Sequence, residues 1–235
     1  MQVVILAGGK GTRLKPFTTN FPKPLVPIAN QPILEIILRQ LKHAGCTEII
    51  LAVNHLAELI ESYFGNGEKI GVQLTYSKET QELGTAGPLG LIPNLQEDFL
   101  VMNGDTLTTL QYKDLFRFHS DQKNDATIAT YQKEVHIDLG VLHTAEGLLE
   151  EYKEKPTMSF TVSMGVNVLN RKLLGYLPKG KRMDMPDLLL TAKRAGERIG
   201  CYFGSYYWLD IGRTEDYETA IEIFTKRQKE FLPDV

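Results

Sequence analysis

Four apolar runs punctuate the first half of this 235-residue chain, at residues 3–6, 49–53, 72–76 and 99–102. Between the first two, Ile33, Ile36, Ile37 and Leu41 recur at helical spacing and Gly45 follows as a stop. Residues 55–64, closed by Gly65, read as a second helix and residues 85–91 as a third. Short continuous apolar runs suit strands buried on both faces, and strands alternating with helices connect through right-handed crossovers. The pattern predicts an α/β fold with a mostly parallel sheet flanked by helices.

Beyond residue 125 or so the texture changes. Strand-like segments at 126–131, 140–143, 148–152 and 160–169 follow one another with short connections. They predict antiparallel additions at the sheet edge that form a small lobe over the ligand site. A helix at 187–195 and short strands at 199–203 and 206–209 come next. The closing helix starts near Thr214 and carries Tyr217, Ala220, Ile221 and Phe224 on one face. Glu215 and Asp216 near its start, and Lys226, Arg227 and Lys229 near its end, suit the helix dipole. Residues 1–235 are expected to form one domain, with halves at about 1–124 and 125–235, long enough to bury a sizeable core.

Composition excludes several classes of function. A net charge of −3 gives no general attraction for a nucleic acid polymer. No stretch approaches eighteen uninterrupted apolar residues, so no membrane span is expected. The N-terminal apolar run is short, ends in Gly8-Gly9 and lacks a basic leader, so it reads as a strand, not a signal peptide. Cys46 and Cys201 are too few and too distant for a disulfide framework or a zinc site. They read as buried or inert thiols of a reducing compartment, with cytoplasm as the expected location. His43, His55, His119, His136 and His143 show no paired ligand spacing and read as structural or solvated.

The chemistry-bearing segment is Leu6-Ala7-Gly8-Gly9-Lys10-Gly11-Thr12-Arg13-Leu14-Lys15-Pro16, followed by Phe21-Pro22-Lys23-Pro24-Leu25. Glycines let backbone N–H groups approach an anion closely and curl around it. Arg13 and Lys23 add full positive charges, so a polyphosphate is the expected guest. Spacing excludes two familiar phosphate loops. Counting G-x-G-x-x-G from Gly9 puts Leu14 in the sixth position, and counting a P-loop from Gly8 puts Arg13 where the second glycine belongs. Asp105 follows the fourth apolar run, where a carboxylate suits Mg²⁺, although a Gly-Asp pair also forms ordinary turns. Asp210, flanked by Trp208, Leu209 and Ile211, needs a partner if buried.

These motifs, in this order, resemble the sugar-1-phosphate nucleotidyltransferases. Gly8-Gly9-Lys10-Gly11-Thr12-Arg13-Leu14 resembles the family's opening motif and Pro22-Lys23-Pro24-Leu25-Val26-Pro27-Ile28 its second. Leu83-Gly84-Thr85-Ala86-Gly87, Asn103-Gly104-Asp105, Glu154-Lys155-Pro156 and Trp208-Leu209-Asp210-Ile211-Gly212 match later ones. The resemblance implies a Rossmann-like fold, transfer of a nucleoside monophosphate from a triphosphate to a sugar 1-phosphate, release of pyrophosphate, and Mg²⁺ as cofactor. A homo-oligomer is compatible with it.

The resemblance also implies residue roles. Arg13 and Lys23 would be catalytic. Leu6, Ala7, Gly8, Gly9, Gly11, Thr12, Gln81, Gly84, Thr85, Asn103 and Asp105 would join them in holding the nucleotide, with Gln81 reading the base. Gly140, Glu154, Lys155 and Asn167 would bind the sugar phosphate, and Asp105 and Asp210 the metal. Taken alone, residues 150–155 read equally as a solvated charged strand, and Lys23 as a solvated lysine.

The chain departs from the pattern where Leu139 replaces an aromatic residue, Asn167 a tyrosine and Arg213 a threonine, all on the sugar side. Several family members carry a C-terminal β-helix or acyltransferase domain, and this chain is expected to lack one. Leu83-Gly84-Thr85-Ala86-Gly87-Pro88-Leu89 looks most like the guanylyltransferases, favouring GTP with mannose 1-phosphate or a heptose or cyclitol relative. Uridylyl, thymidylyl or cytidylyl transfer is the near alternative. A silent nucleotide-sugar-binding regulatory subunit is the other, and Arg13, Lys23, Asp105 and Asp210 all being present speaks against it.

Overall fold

The computed structural model describes residues 1–14, 18–212 and 214–232, without the side chains of residues 214 and 215. Lys15, Pro16, Arg213 and the Glu215 side chain therefore lie outside the described residues. The strands run β1 (Gln2–Leu6), β2 (Pro27–Ile28), β3 (Gln31–Pro32), β4 (Glu48–Val53), β5 (Gln73–Lys78), β6 (Asp98–Asn103) and β7 (Thr106–Thr108). After them come β8 (Ala126–His136), β9 (Val141–Ala145), β10 (Leu148–Lys153), β11 (Thr157–Asn170), β12 (Ile199–Tyr202) and β13 (Trp208–Asp210). The helices are α1 (Ile33–His43), α2 (Ala57–Phe64), α3 (Tyr112–Asp121), α4 (Met185–Arg194) and α5 (Thr214–Phe231).

Seven strands form one sheet in the order β12-β8-β11-β6-β1-β4-β5. β1 lies parallel to both β4 and β6, and β4 lies parallel to β5. β11 pairs antiparallel with β6 and β8, and β12 pairs parallel with β8. Only β11 therefore runs against the other six, and the sheet is Rossmann-like and mostly parallel. Alternation along its strands divides the core in two. Val3, Ile5, Leu51 and Met102 pack with α1, Leu115 of α3 and Phe224 of α5. Val4, Ala52, Phe99 and Val101 face the other way, onto Leu89 and onto Leu188 and Ala192 of α4. The helices thus cover both faces.

Several predicted elements change in the structure. Residues 85–91 do not form an α-helix: only a 3-10 segment, Gly87–Leu91, is present, because Pro88 and the glycines on either side of it disfavour regular helix. Residues 55 and 56 precede α2 in a turn, with Leu56 at φ 56°. α4 begins at Met185, two residues ahead of its predicted start, with Asp184 at its N-cap and Pro186 in its first turn. α3 was not anticipated. Cys201 is exposed, not buried; Cys46 is buried, and burial pushes its thiol up to about 11. No helix among the described residues is long and apolar enough to cross a membrane.

Of the four segments expected to form the lobe, 126–131 and 160–169 lie in β8 and β11 inside the seven-stranded sheet, and only residues 141–153 form a separate two-stranded ribbon, β9 with β10, whose β10 residues are all exposed. It projects from the ends of β8 and β11, which pair as far as Thr157 with His136. β11 is irregular between Ser163 and Asn167, where Gly165 adopts φ +71°. A Cβ at Gly165 would lie 2.4 Å from Asn103 Nδ2. Gly165→Ala is therefore expected to cost roughly 1–3 kcal/mol in urea unfolding, from backbone strain plus the displaced Asn103.

Candidate active site

β1 is the pivot of the site. Its last residue, Leu6, is paired with Ala52 of β4 on one side and with Asn103 of β6 on the other. The chain leaves β1 toward β4 and β5 and later returns to β6 on the opposite side. The loops after β1 and β6 therefore diverge and open a crevice beyond the carboxyl ends of the strands. A cavity of about 450 Å³ occupies it.

Of the residues expected to hold the nucleotide, Leu6, Gly8, Gly9, Thr12, Gly84, Thr85, Asn103 and Asp105 line this cavity. Ala7 is buried beneath them, its N–H donating to the Ala52 carbonyl at 2.8 Å. Gly8 is closely hemmed in: a Cβ there would come within 3.0 Å of Glu79 Oε1 and 3.2 Å of the Asn54 nitrogen, so its neighbours would have to give way. Gly11 adopts φ +59°, and its carbonyl accepts the Thr18 hydroxyl at 2.7 Å. A Cβ on Gly11 would stand 3.2 Å from Lys23 Cβ, so the glycine loop folds directly against the lysine turn.

Lys23 opens a 3-10 turn, Lys23–Leu25, between buried Pro22 and Pro24. The prolines restrict the backbone on both sides, and the Lys23 side chain is only 11% exposed. Its ammonium group is paired with Asp105 Oδ2. The other carboxylate oxygen, Oδ1, is buried and has no hydrogen-bond partner among the described residues.

Asp210 comes to Asp105 through a short ladder. β7 leaves Asp105 and pairs antiparallel with β13, placing Asp210 opposite Thr106. The Ile211 N–H then donates to the Asp105 carbonyl at 3.3 Å. Surrounding protein raises the Asp210 pKa above its ordinary 3.8, and the Asp105 charge raises it further; Lys23 and Arg13 oppose the shift. Arg13 reaches the same place, its Nη2 standing 3.4 Å from where a Gly212 Cβ would be. Two cations and two carboxylates from four separate segments thus converge.

The Asp105–Asp210 pair fits Mg²⁺, which takes one or two carboxylates and completes its shell with water and substrate phosphates. The observation behind this fit is the unpartnered Oδ1 of Asp105 beside a second carboxylate that is costly to ionise. Among the described residues no cluster of three or more His, Cys, Asp or Glu side chains is arranged for a metal.

Other predicted residues lie elsewhere. Gln81 is exposed and its amide donates to the Gly180 carbonyl at 2.9 Å, outside the cavity lining. Glu79 lines the cavity instead, accepting the Leu83 N–H through Oε2 at 3.2 Å. Burial raises the Glu79 pKa, the Leu83 N–H lowers it, and neighbouring Glu82 raises it again. Gly140, Glu154 and Lys155 border the β9–β10 ribbon and line neither this cavity nor the one beside it. Lys155 pairs with Asp138 at 3.2 Å, and Glu154 accepts the Tyr152 hydroxyl at 3.0 Å. Asn167 lines a second, adjoining cavity with Leu6, Thr85 and Asn103.

Asn54, Arg182 and Asp184 also line the first cavity and were not singled out from the sequence. Asp184 had a readable signal, an acidic residue two positions before a proline at a helix start. Its Oδ1 accepts the Thr85 N–H at 3.1 Å, and the Thr85 hydroxyl in turn accepts the Met185 N–H at 2.7 Å. Gly84 adopts φ +81° and would place a Cβ 2.6 Å from the Met183 carbonyl, so glycine is needed where these segments meet.

A folded-state pKa above the unfolded one means that the native state binds the proton more tightly. Asp210 therefore makes stability fall as pH rises from about 3.8 through its folded value. Asp210 is exposed, so solvent screens part of the effect. Asp210→Asn is expected to raise Tm by a few degrees at neutral pH, with the gap closing as pH falls toward 4. Mg²⁺ is expected to raise the wild-type Tm and to raise that of the variant less. Calorimetric scans across pH, with and without Mg²⁺, measure both.

The nucleotidyl transferase family model matches residues 2–227. The mannose-1-phosphate guanylyltransferase catalytic subunit beta of Drosophila pseudoobscura pseudoobscura is 34% identical over 239 residues, covering 97% of this chain and 64% of its own length. The UTP–glucose-1-phosphate uridylyltransferase of Synechocystis sp. is 33% identical over 249 residues, again covering 97% of this chain and 64% of the relative. The chain thus spans about 64% of the length of these curated relatives. The crystal structure of HddC from Yersinia pseudotuberculosis complexed with GMP-PN superimposes with a TM-score of 0.73 at 28% identity, covering 95% of this chain and 99% of that one. With a family model spanning nearly the whole sequence, and a glycine loop, a proline-flanked lysine and two carboxylates meeting at one crevice, the chain belongs to the nucleotidyl transferase family.

Proposed function

We propose that the protein transfers a guanylyl group from GTP to a sugar 1-phosphate of the mannose series, mannose 1-phosphate or a heptose or cyclitol relative, releasing pyrophosphate. The observation that carries the reading is the meeting of Lys23, Arg13, Asp105 and Asp210 at the carboxyl ends of β1 and β6. A sugar phosphate oxygen attacks the α-phosphorus, a new P–O bond forms, and the bond to the β-phosphate bridging oxygen breaks. The attacking oxygen is already anionic, so no side-chain nucleophile and no strong base is required. The protein has to hold two mutually repelling anions in line and neutralise the charge that accumulates between them.

Lys23 takes the α-phosphate and the incoming sugar phosphate, where charge crowds most, and Arg13 the outer phosphates. Lys23 reaches them by giving up its pairing with Asp105. The lining explains why further cations are needed: Glu79, Glu82, Asp105 and Asp184 outnumber Lys10 and Arg182 along the cavity. Mg²⁺ held by Asp105 and Asp210 would supply that additional positive charge and orient the phosphates. Backbone N–H groups of the Gly8–Gly9 turn add donors without added bulk.

Glu79 supports guanine as the base. A carboxylate only accepts hydrogen bonds, and guanine presents two adjacent donors, N1–H and N2–H, to one acceptor group. The mannose-1-phosphate guanylyltransferases and the GMP-PN complex among the similar proteins point the same way. The uridylyltransferase relative keeps uridylyl transfer as the second reading.

A pyrophosphate-release assay crossing four nucleoside triphosphates with a panel of sugar 1-phosphates, with and without Mg²⁺, tests the proposal. GTP with a mannose-series phosphate should be the best pair, and release with none of the combinations would overturn the reading. Arg13→Ala and Lys23→Ala are each expected to lower kcat by roughly 10²–10³. Glu79→Gln replaces one acceptor with a donor, so the ratio of kcat/KM for GTP to that for UTP should fall roughly tenfold or more.

A further inference from the structure

The second cavity, of about 520 Å³, opens off the first through Leu6, Thr85 and Asn103, and its walls differ in character. Its floor is the sheet. Asn167 of β11 stands in register with Val101 of β6 on one side and Ile128 of β8 on the other, and all three line the cavity. Its far wall is α4, which contributes Met185, Leu189 and Leu190.

Asn167 is the anomaly. It is 4% exposed, it sits between two apolar residues in the interior of a seven-stranded sheet, and its Oδ1 has no hydrogen-bond partner among the described residues. A buried amide oxygen without a donor costs stability, and a β-branched apolar residue would suit the position better. The amide lines the cavity, so a bound molecule can supply the missing donor.

On the reading of phosphate transfer given above, we propose that this cavity receives the sugar ring and selects one that is deoxygenated at the end remote from the phosphate, which narrows the mannose series to a 6-deoxy member ahead of mannose 1-phosphate or a heptose phosphate. The phosphate stays with Lys23, Asp105 and Asp210 beside Asn103, and the ring extends from there toward α4. Asn167 accepts one ring hydroxyl. A further hydroxyl against Met185 and Leu189 would leave water with no hydroxyl, amide or charged side chain on that wall to meet it, the cavity's other polar side chains being Thr85, Asn103 and Ser163, whereas a methyl group there gains from leaving water. An apolar pocket of this kind discriminates against one added hydroxyl by roughly 10–10²-fold.

The test compares 6-deoxymannose 1-phosphate with mannose 1-phosphate, each with GTP and Mg²⁺, by kcat/KM for pyrophosphate release. The deoxy sugar phosphate should be preferred by roughly 10–10²-fold. Leu190→Asn, at a half-exposed wall position, should narrow that preference, and Asn167→Val should raise KM for both substrates while raising Tm. Equal use of the two sugar phosphates, or preference for mannose 1-phosphate, would overturn the selectivity and leave the transfer reaction standing. If neither releases pyrophosphate with any nucleoside triphosphate, the mannose-series reading fails. Titration calorimetry of the two sugar phosphates then decides the pocket: tighter binding of the deoxy compound, lost in Asn167→Val, supports it, and equal or absent binding removes it.

Discussion

Two carboxylates are held beside one another against their own repulsion, and the site is organised around that constraint. The β7–β13 ladder brings Asp210 to Asp105 whether or not anything stands ready to neutralise them. Lys23 balances one oxygen of Asp105, and the other has no hydrogen-bond partner among the described residues. Burial raises the pKa of Asp210, and the Asp105 charge raises it further. A protein selected for stability alone would place asparagine or threonine at such a position. Retaining the acidic pair is the kind of local conflict expected where a fold gives up stability for chemistry.

The scaffold meets this demand through continuity with the core. Lys23 is held by a turn whose prolines are buried, Asp105 by a tight turn in which the Gly104 N–H donates to the Leu6 carbonyl at 2.9 Å, and Asp210 by the ladder. None of the three hangs from a free loop. Gln40 of α1 adds a tie at a distance, its amide donating to the carbonyls of Thr108 in β7 and Phe231 in α5. The position of the last helix is thereby coupled to the strand that leaves Asp105.

The parallel half of the fold was legible in the sequence because β1, β4 and β6 are buried on both faces, which requires continuous apolar runs. The glycine loop and Lys23 were legible because their residue types have few other uses in that order. α3 was harder to see: it buries only Tyr112, Leu115 and His119, and a histidine does not register as a core residue until Thr127 is found 2.9 Å from its ring nitrogen. Gln81 and Glu79 could not be ranked from spacing, since both follow the end of β5 and backbone direction beyond a strand is set by tertiary contact. Here the Glu79 N–H donates to the Val53 carbonyl and continues the parallel pairing one residue further, carrying Glu79 inward. Gly140, Glu154 and Lys155 were picked by resemblance, and no local signal fixes how a two-stranded ribbon leans.

One helix, α4, faces both compartments. Its N-cap, Asp184, borders the space proposed for the nucleotide and latches Thr85, while Leu189 and Leu190 border the space proposed for the sugar. A rigid rod shared by two chambers cannot be retuned in one without being felt in the other. Evolution of this protein toward a new acceptor would therefore drag its donor preference along, so that the two specificities drift as a linked trait.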